Sequence, residues 1–470
     1  MLNFKIRLDN LSTKKFEPPP VDPDEMVMDP QTYKDLEIFE GEGGASSLYD
    51  LFNTTRSAGG AKALRARMRK PWAKASRIRA VQESLTFIRR NRGAFERLLS
   101  DTTTGTVEKY LSGSLPLVTK DSNWEFWMWA LEVRFGDFRP YNRIVRGVQG
   151  ASTMIRALRT VSSTPELLNA PGEVGVLIAE MRTLLARPTL GLVGDVDRWD
   201  LSAWKILRID RMFRLIERET VERLLDLACD LDALVSMADA VERLGFVMPE
   251  IVEGPLEMRG EAVSHPFITE AVPNPVALDQ RRRMLFLTGP NMAGKTTYLR
   301  CCGIALYLAH LGMGVPARSF RFSPCDRLFS SISVNDNVRA GVSFFRAEAL
   351  RVKAIALAVT QGHRVVALMD EPFKGTNVKD AFDASQAVLA RLAEKDGTMF
   401  LVSSHLIELG ERMLESGLVD LQHFEASEEE GRLRFEYILR PGVSSQRLGM
   451  RVLREEGIFE LLDQQQNGKR

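Results

Sequence analysis

The sequence predicts a two-part α + α/β protein: a helical region over 28–255, then a region over 256–464 in which strands alternate with helices. Three observations carry this expectation. Apolar residues recur at helical spacing through the later part of the first region. Short, continuous apolar runs separated by helix-length stretches punctuate the second. A glycine-rich loop joins one of those runs to a helix-forming segment, as in a parallel sheet that binds phosphate.

Taken in order, residues 1–27 read as an arm ending in the stiff Pro18-Pro19-Pro20 linker. Between Asp50 and Glu83 no acidic residue occurs, but Arg56, Lys62, Arg65, Arg67, Arg69, Lys70, Lys74, Arg77 and Arg79 do. Such a segment can neutralise backbone phosphates or form a solvated helix face, and the residues alone leave both readings open. Trp124, Trp127 and Trp129, with Phe126, read as core more readily than as a stacking platform. Leu207, Met212, Leu215, Ile216, Leu224, Leu227, Leu231, Leu234 and Val241 predict one long helix, either a lever between sites or a bundle strut. Leu418–Phe424 and Arg432–Leu439 flank an acidic turn and predict a hairpin, and 465–470 is a tail. No internal repeat is visible.

The chemistry concentrates after the apolar run Met284-Leu285-Phe286-Leu287. There Gly289-Pro290-Asn291-Met292-Ala293-Gly294-Lys295-Thr296-Thr297 follows Thr288 as a G-x-x-x-x-G-K-[ST] loop. Gly289 and Gly294 let the backbone turn so that successive N–H groups point at phosphate oxygens, and the helix N-terminus adds partial positive charge. Lys295 is suited to reach the β- and γ-phosphates, and the Thr296 hydroxyl to complete a Mg²⁺ shell. The motif implies binding of a nucleoside triphosphate.

Val365-Val366-Ala367-Leu368-Met369 is the continuous apolar run of a strand buried on both faces, and Asp370 and Glu371 follow at its carboxyl end. Asp370 is placed to hold Mg²⁺ through water and Glu371 to polarise an attacking water, which favours hydrolysis over storage. A third run, from Met399 to Val402, leads to Ser403, Ser404 and His405, a histidine positioned for a γ-phosphate contact.

Composition sets the outer bounds. A chain of 470 residues can bury a large core, and 44% hydrophobic content is ordinary for a globular protein. Four cysteines show neither a disulfide framework nor zinc spacing, so a reducing, cytoplasmic setting is expected. No apolar run is long enough to span a membrane, no secretion signal is apparent, and a net charge of +1 announces no partner.

The loop from Gly289 to Arg300 closely resembles the ATPase loop of the MutS mismatch-repair family, whose Gly-Pro-Asn-Met wording is unusually specific. Other resemblances follow in the family's order. Asp326–Phe329 resembles the strand before the signature region, and 336–348 resembles the signature, with Gly341, Ser343, Phe345 and Glu348 in register. Leu368–Glu371 with Gly375-Thr376 is similar to the second nucleotide motif, and Ser404-His405 to the family's Thr-His pair. Arg447–Met450 with Gly457-Ile458 resembles the closing helical segment. Upstream, Met28–Glu37 and Ser47–Leu85 resemble the start of the MutS core, 232–249 the end of the lever, and Ser264-His265-Pro266 the beginning of the ATPase domain.

The departures also inform. Only 27 residues precede the core-like segment and no Phe-x-Glu wedge occurs, so the mismatch-recognition and connector domains are expected to be missing. Residues 96–205 are short for core helices plus a full DNA clamp, and no helix-turn-helix tail follows Leu462. Ala271 and Val272 stand where the family places an aromatic against adenine. The second motif reads Asp-Glu-Pro-Phe-Lys-Gly-Thr, where Pro372 should stiffen the chain after the acidic pair and Lys374 keeps the basic position.

The resemblance therefore implies a short form: a helical core/lever domain followed by an ABC-type P-loop NTPase domain that converts ATP to ADP and phosphate with Mg²⁺. Gly289 to Thr297 would hold nucleotide, Thr296 and Asp370 the metal, and Lys295, Glu371 and His405 would act in catalysis. Ser343 would complete the site of a partner copy, implying a homodimer. The implied partner is mismatched, branched or distorted DNA. The alternative is an ATP switch that binds a protein, such as a repair factor, and not DNA.

Overall fold

In a computed structural model of the chain, the described residues are 22–96, 98, 101–119, 124–126, 128, 138–191, 193, 202–333, 344–429, 432–444, 446, 451, 453, 454, 457–459, 461 and 462. The first half is largely helical. Its longer helices are Ala58–Met68, Ala75–Arg90, Asp101–Ser112, Phe138–Ser162, Gly172–Leu185, Ala203–Arg211 and Arg218–Arg243. Helix Ala58–Met68 starts where Ser57 accepts from Gly60 N–H, and buried Asp232 on the last helix accepts from the Arg56 and Ser57 N–H groups. Glycine is needed here: a Cβ at Gly60 would stand 2.1 Å from Asp232 Oδ2.

The predicted long helix is interrupted. A π-helical turn at Met212–Ile216 and a non-helical Glu217 (φ −113°, ψ 22°) divide it into two helices. The extra residue per turn rotates the apolar pattern, so Leu215 and Ile216 are 46% and 52% exposed while Leu224 to Val241 remain buried. Glu217 fixes the break by accepting from Thr189 and Thr220 and pairing with Arg187 at 2.9 Å. Phe126 is buried against Val118 and Leu207, while Trp124 is exposed; Trp127 and Trp129 lie outside the described residues.

The strands are β1 Val27–Met28, β2 Glu250–Ile251, β3 Met258–Val263, β4 Asn274–Leu278, β5 Met284–Thr288, β6 Ser319–Phe322, β7 Arg327–Ser331, β8 Val365–Asp370, β9 Thr398–Ser403, β10 Val419–His423, β11 Ala426–Glu429, β12 Arg432–Phe435 and β13 Arg440–Pro441. The main sheet runs β1-β7-β8-β9-β5-β10-β13 and is parallel except for β13. A smaller sheet, β2-β6-β3-β4, lies beside it. Apolar side chains alternate between two clusters along β8. Val366 and Leu368 join the larger core, and Val365, Ala367 and Met369 face the cluster that includes Ile355, Leu389 and Leu409. Helices therefore cover both faces, which explains the uninterrupted apolar runs.

The predicted hairpin shifts. Val419–His423 joins the main sheet beside β5, and the hairpin forms between β11 and β12. Alternation marks a strand without naming its neighbour. The N-terminal segment also enters the main sheet, where β1 pairs with β7 at its edge. The larger core is continuous between helical and sheet regions: Tyr307 donates to Met68 O, and Trp72 N–H to His310 O at 2.9 Å. Among the described residues no helix is long and apolar enough to cross a membrane.

Candidate functional site

Strand β5 delivers the chain into the glycine loop, and helix Lys295–His310 leaves it. Gly289 (φ 136°) and Gly294 (φ 100°) take conformations that favour glycine. A Cβ at Gly289 would also meet Phe424 O at 2.5 Å. Lys295 Nζ donates to Gly289 O at 2.9 Å and Pro290 O at 3.0 Å, folded back over the loop. Burial lowers its pKa from the ordinary lysine value, against the pull of Glu371 and Asp370.

The parallel order brings distant strand ends to this loop. Strand β9 is the neighbour of both β8 and β5. Asp370, ending β8, accepts from Thr296 Oγ1 at 2.7 Å and from the Ser403 hydroxyl at the end of β9. Glu371 follows in a left-handed conformation (φ 51°), its N–H bonded to Ser403 O at 2.9 Å. That backbone turn sends Glu371 toward His405, whose Nδ1 lies 3.8 Å from its carboxylate. The imidazole holds the Glu371 carboxyl below its usual range, and the carboxylate raises His405.

Lys295, Thr296, Asp370 and Glu371 border one cleft of about 620 Å³, lined also by Val263, His265, Ala271, Val272, Asn274 and Tyr437. Asn291, Met292, Gly294, Thr296 and Thr297 line it too, whereas Ala293 is packed into the core. Burial pushes His265 down to about 4, with Arg300 adding to the shift, so the ring is neutral at physiological pH. Tyr437 was not singled out by sequence reasoning. Asn274 secures its segment: Nδ2 donates to Tyr437 O at 2.8 Å and Oδ1 accepts from Leu439 N–H at 2.7 Å. Tyr437, from the chain after the hairpin, lines the same cleft as Ala271 and Val272. The Phe435-Glu436-Tyr437 spacing is the signal that could have found it; the two rings stack 6.1 Å apart although Tyr437 itself is left-handed (φ 56°).

Ser343 and Gly341 lie outside the described residues, but both flanks of that segment are anchored. Buried Asp35 accepts from Ser330 Oγ at 2.7 Å, Ile332 N–H at 2.8 Å and Ser333 N–H at 3.2 Å. Beyond it, Arg351 on helix Phe344–Thr360 pairs with Asp29 and donates to Thr32 Oγ1 and Ser330 O. On the same helix, buried Glu348 accepts from Gly375 N–H at 3.1 Å. This links the signature-like stretch to the chain after Glu371.

The basic stretch 51–82 looks different in three dimensions. Lys62 pairs with Glu108, Arg67 with Glu173, Lys70 with Glu25, Lys74 and Arg77 with Asp24, and Arg79 with Glu253. Arg56 donates to Glu96 O, Arg65 lies over the Phe39 and Tyr49 rings, and Arg69 lies over Phe39. All nine cations therefore have partners within the chain.

Among the described residues no group of three or more His, Cys, Asp or Glu side chains is poised to hold a metal. The oxygen donors at Thr296 and Asp370 fit Mg²⁺, which is commonly held by one or two carboxylates together with substrate phosphates and water. Residues 285–466 match the family model described as MutS domain V. That match takes in the phosphate loop, the acidic strand end and His405 beside Glu371, so residues 285–466 carry a MutS domain V.

Proposed function

We propose that this protein hydrolyses ATP to ADP and phosphate in a site completed by a second copy of itself, and that this cycle governs its hold on mismatched, branched or distorted DNA. The observation that carries the chemistry is the meeting of Thr296, Asp370, Ser403, Glu371 and His405 at neighbouring ends of β5, β8 and β9. In this reading, Lys295 leaves the loop carbonyls for the β- and γ-phosphates when triphosphate binds. The loop N–H groups from Gly289 to Thr297 share that charge. Thr296 and Asp370 hold Mg²⁺, which supplies charge neutralisation on the phosphate oxygens.

Glu371, its carboxyl held below the usual range by His405, orients water and takes its proton, while His405, raised by that carboxylate, faces the γ-phosphate. Tyr437 offers a face to the base, and neutral His265 a hydrogen-bonding edge. The division into a core/lever domain over 28–255 and an ABC-type ATPase domain over 256–464 belongs to this proposal, as does a cytoplasmic setting. The four cysteines are free and buried, which suits a reducing compartment. Ser343 is assigned to the partner copy's γ-phosphate.

Light scattering tests the composite site. A Glu371→Gln protein should dimerise with Mg-ATP, and Ser343→Arg in that background should remain monomeric. A nucleotide-independent monomer in the Glu371→Gln background would overturn the shared site. A gel-shift panel of homoduplex, mismatch, junction and single-stranded DNA, with and without ATP, tests the partner. The internal pairing of all nine cations in 51–82 favours the second reading, an ATP switch acting on a protein. Absence of DNA affinity at low salt would select it.

A further inference from the structure

Six of the nine cations in 51–82 are ion-paired within the chain, so a polyanion needs cations that are not so engaged. From Phe138 to Pro165 the chain has no Asp or Glu but carries Arg139, Arg143, Arg146, Arg156 and Arg159. Most of this stretch is one helix, Phe138–Ser162. Its apolar side is spent inward: Ile144, Val148, Ala151, Ile155 and Leu158 are buried in the core. Its outer side exposes Arg139, Asn142, Arg143, Arg146 and Gln149.

Arg139, Arg143 and Arg146 stand at i, i+4 and i+7, so they share one stripe. Among the described residues no carboxylate pairs with Arg143 or Arg146. The adjoining helix Asp101–Ser112 packs close against Gly147 and Gly150 through Tyr110 and Thr106, and its Glu108 is engaged by Lys62 at 2.9 Å. Arg143 and Arg146 therefore keep their charge.

We infer that the outer face of helix Phe138–Ser162, centred on Arg143 and Arg146, is the surface that takes the phosphate backbone of a nucleic acid. This rests on the DNA reading above and assigns it a place. Three residues of helix separate Arg143 from Arg146, about 4.5 Å. Duplex DNA presents a phosphate about every 3.4 Å of axis per strand, so the two side chains can meet neighbouring phosphates of one backbone. Guanidinium groups bond phosphate oxygens in pairs. A membrane surface fits less well, because the exposed neighbours are Asn142 and Gln149, with no exposed apolar side chain between Arg139 and Gln149 among the described residues. The contacts are to backbone alone, so this face positions DNA without reading its sequence.

The test uses the full chain and a fluorescent 30-base-pair duplex, titrated across a range of salt concentrations. Arg143→Glu/Arg146→Glu should weaken binding at least tenfold at low salt and flatten the log–log salt slope by about 2. Arg143→Lys/Arg146→Lys should keep the slope, and Lys62→Ala/Lys70→Ala should leave affinity within about twofold. Thermal midpoint and ATP hydrolysis without DNA should match wild type in all three. If the Glu pair unfolds the protein, the Ala pair gives the same reading with a smaller loss. A wild-type slope for the charge-reversed or Ala pair overturns this assignment while the DNA reading stands. Wild-type protein that binds no duplex at low salt overturns both. Competition by polyglutamate as strong as by DNA would reassign the face to an acidic protein.

Discussion

Replacing Tyr437 with alanine isolates how the base is held. The residue is 44% exposed at the mouth of the cleft, opposite the small side chains of Ala271 and Val272. If an aromatic residue offers roughly 200 Å² in all, about 90 Å² of Tyr437 is left for a base to cover. At about 25 cal/mol per Å² this is about 2 kcal/mol, or roughly thirty-fold in affinity. The truncation should be local, because Asn274 holds the Tyr437 carbonyl and the Leu439 N–H, which alanine leaves in place. Calorimetry with a slowly hydrolysed ATP analogue and Mg²⁺ should show that loss for Tyr437→Ala and near-normal binding for Tyr437→Phe. Inorganic tripolyphosphate should bind wild type and Tyr437→Ala alike. Nucleotide affinity within twofold of wild type would refute the stacking role. An equal loss for tripolyphosphate would instead mean that the Tyr437 ring, which would lie 3.2 Å from a Cβ at Gly294, shapes the phosphate loop.

Further outcomes follow from the same geometry. Glu371→Gln should keep ATP affinity but lose about 10²–10⁴-fold in turnover, and near-normal steady-state hydrolysis would remove Glu371 from its role as base. In that variant the His405 pKa, followed by NMR, should fall back toward the ordinary histidine value, since the Glu371 carboxylate is what raises it. Lys295→Ala should weaken tripolyphosphate and ATP together in the same calorimeter. Asp35→Ala strips the acceptor from Ser330, Ile332 and Ser333; it should abolish the ATP-dependent dimer of the Glu371→Gln protein while ATP binding persists, and an unchanged dimer would show that this anchor does not position the signature flank. His310, fully buried with a pKa pushed down to about 4, stays neutral in the fold while the unfolded chain takes up a proton below about 6.5. Its contribution is complete above pH 6.5 and is lost as pH falls to 4, about 3 kcal/mol in all; denaturant midpoints at pH 7 and pH 5 should differ less in His310→Asn than in wild type.

Local sterics and near-neighbour pattern made the phosphate loop legible before any fold was known. Glycines where φ must be positive, an all-apolar strand before them and a helix after are requirements that a few consecutive residues meet or fail. The same holds for Asp370 and Glu371 after Val365–Met369, and for the wording that marks the family. Other features depend on which distant residues meet. Only the strand order, with β9 between β8 and β5, sets Ser403 and Thr296 on either side of Asp370. Only the long-range packing brings Tyr437 to the cleft that Ala271 and Val272 also line. Helical periodicity ran through Leu215 and Ile216, but the partners that stabilise the break, Thr189 and Arg187, come from another helix and its approach. Charge is the sharpest case. The run from Arg56 to Arg79 looked free because its counter-charges sit outside it, on Asp24, Glu25, Glu108, Glu173 and Glu253, whereas the sparser arginines of helix Phe138–Ser162 met no such partner at Arg143 and Arg146. Sequence determines which charges a segment owns; the tertiary structure decides which of them remain for a ligand, because Coulomb pairing depends on distance in space and not along the chain.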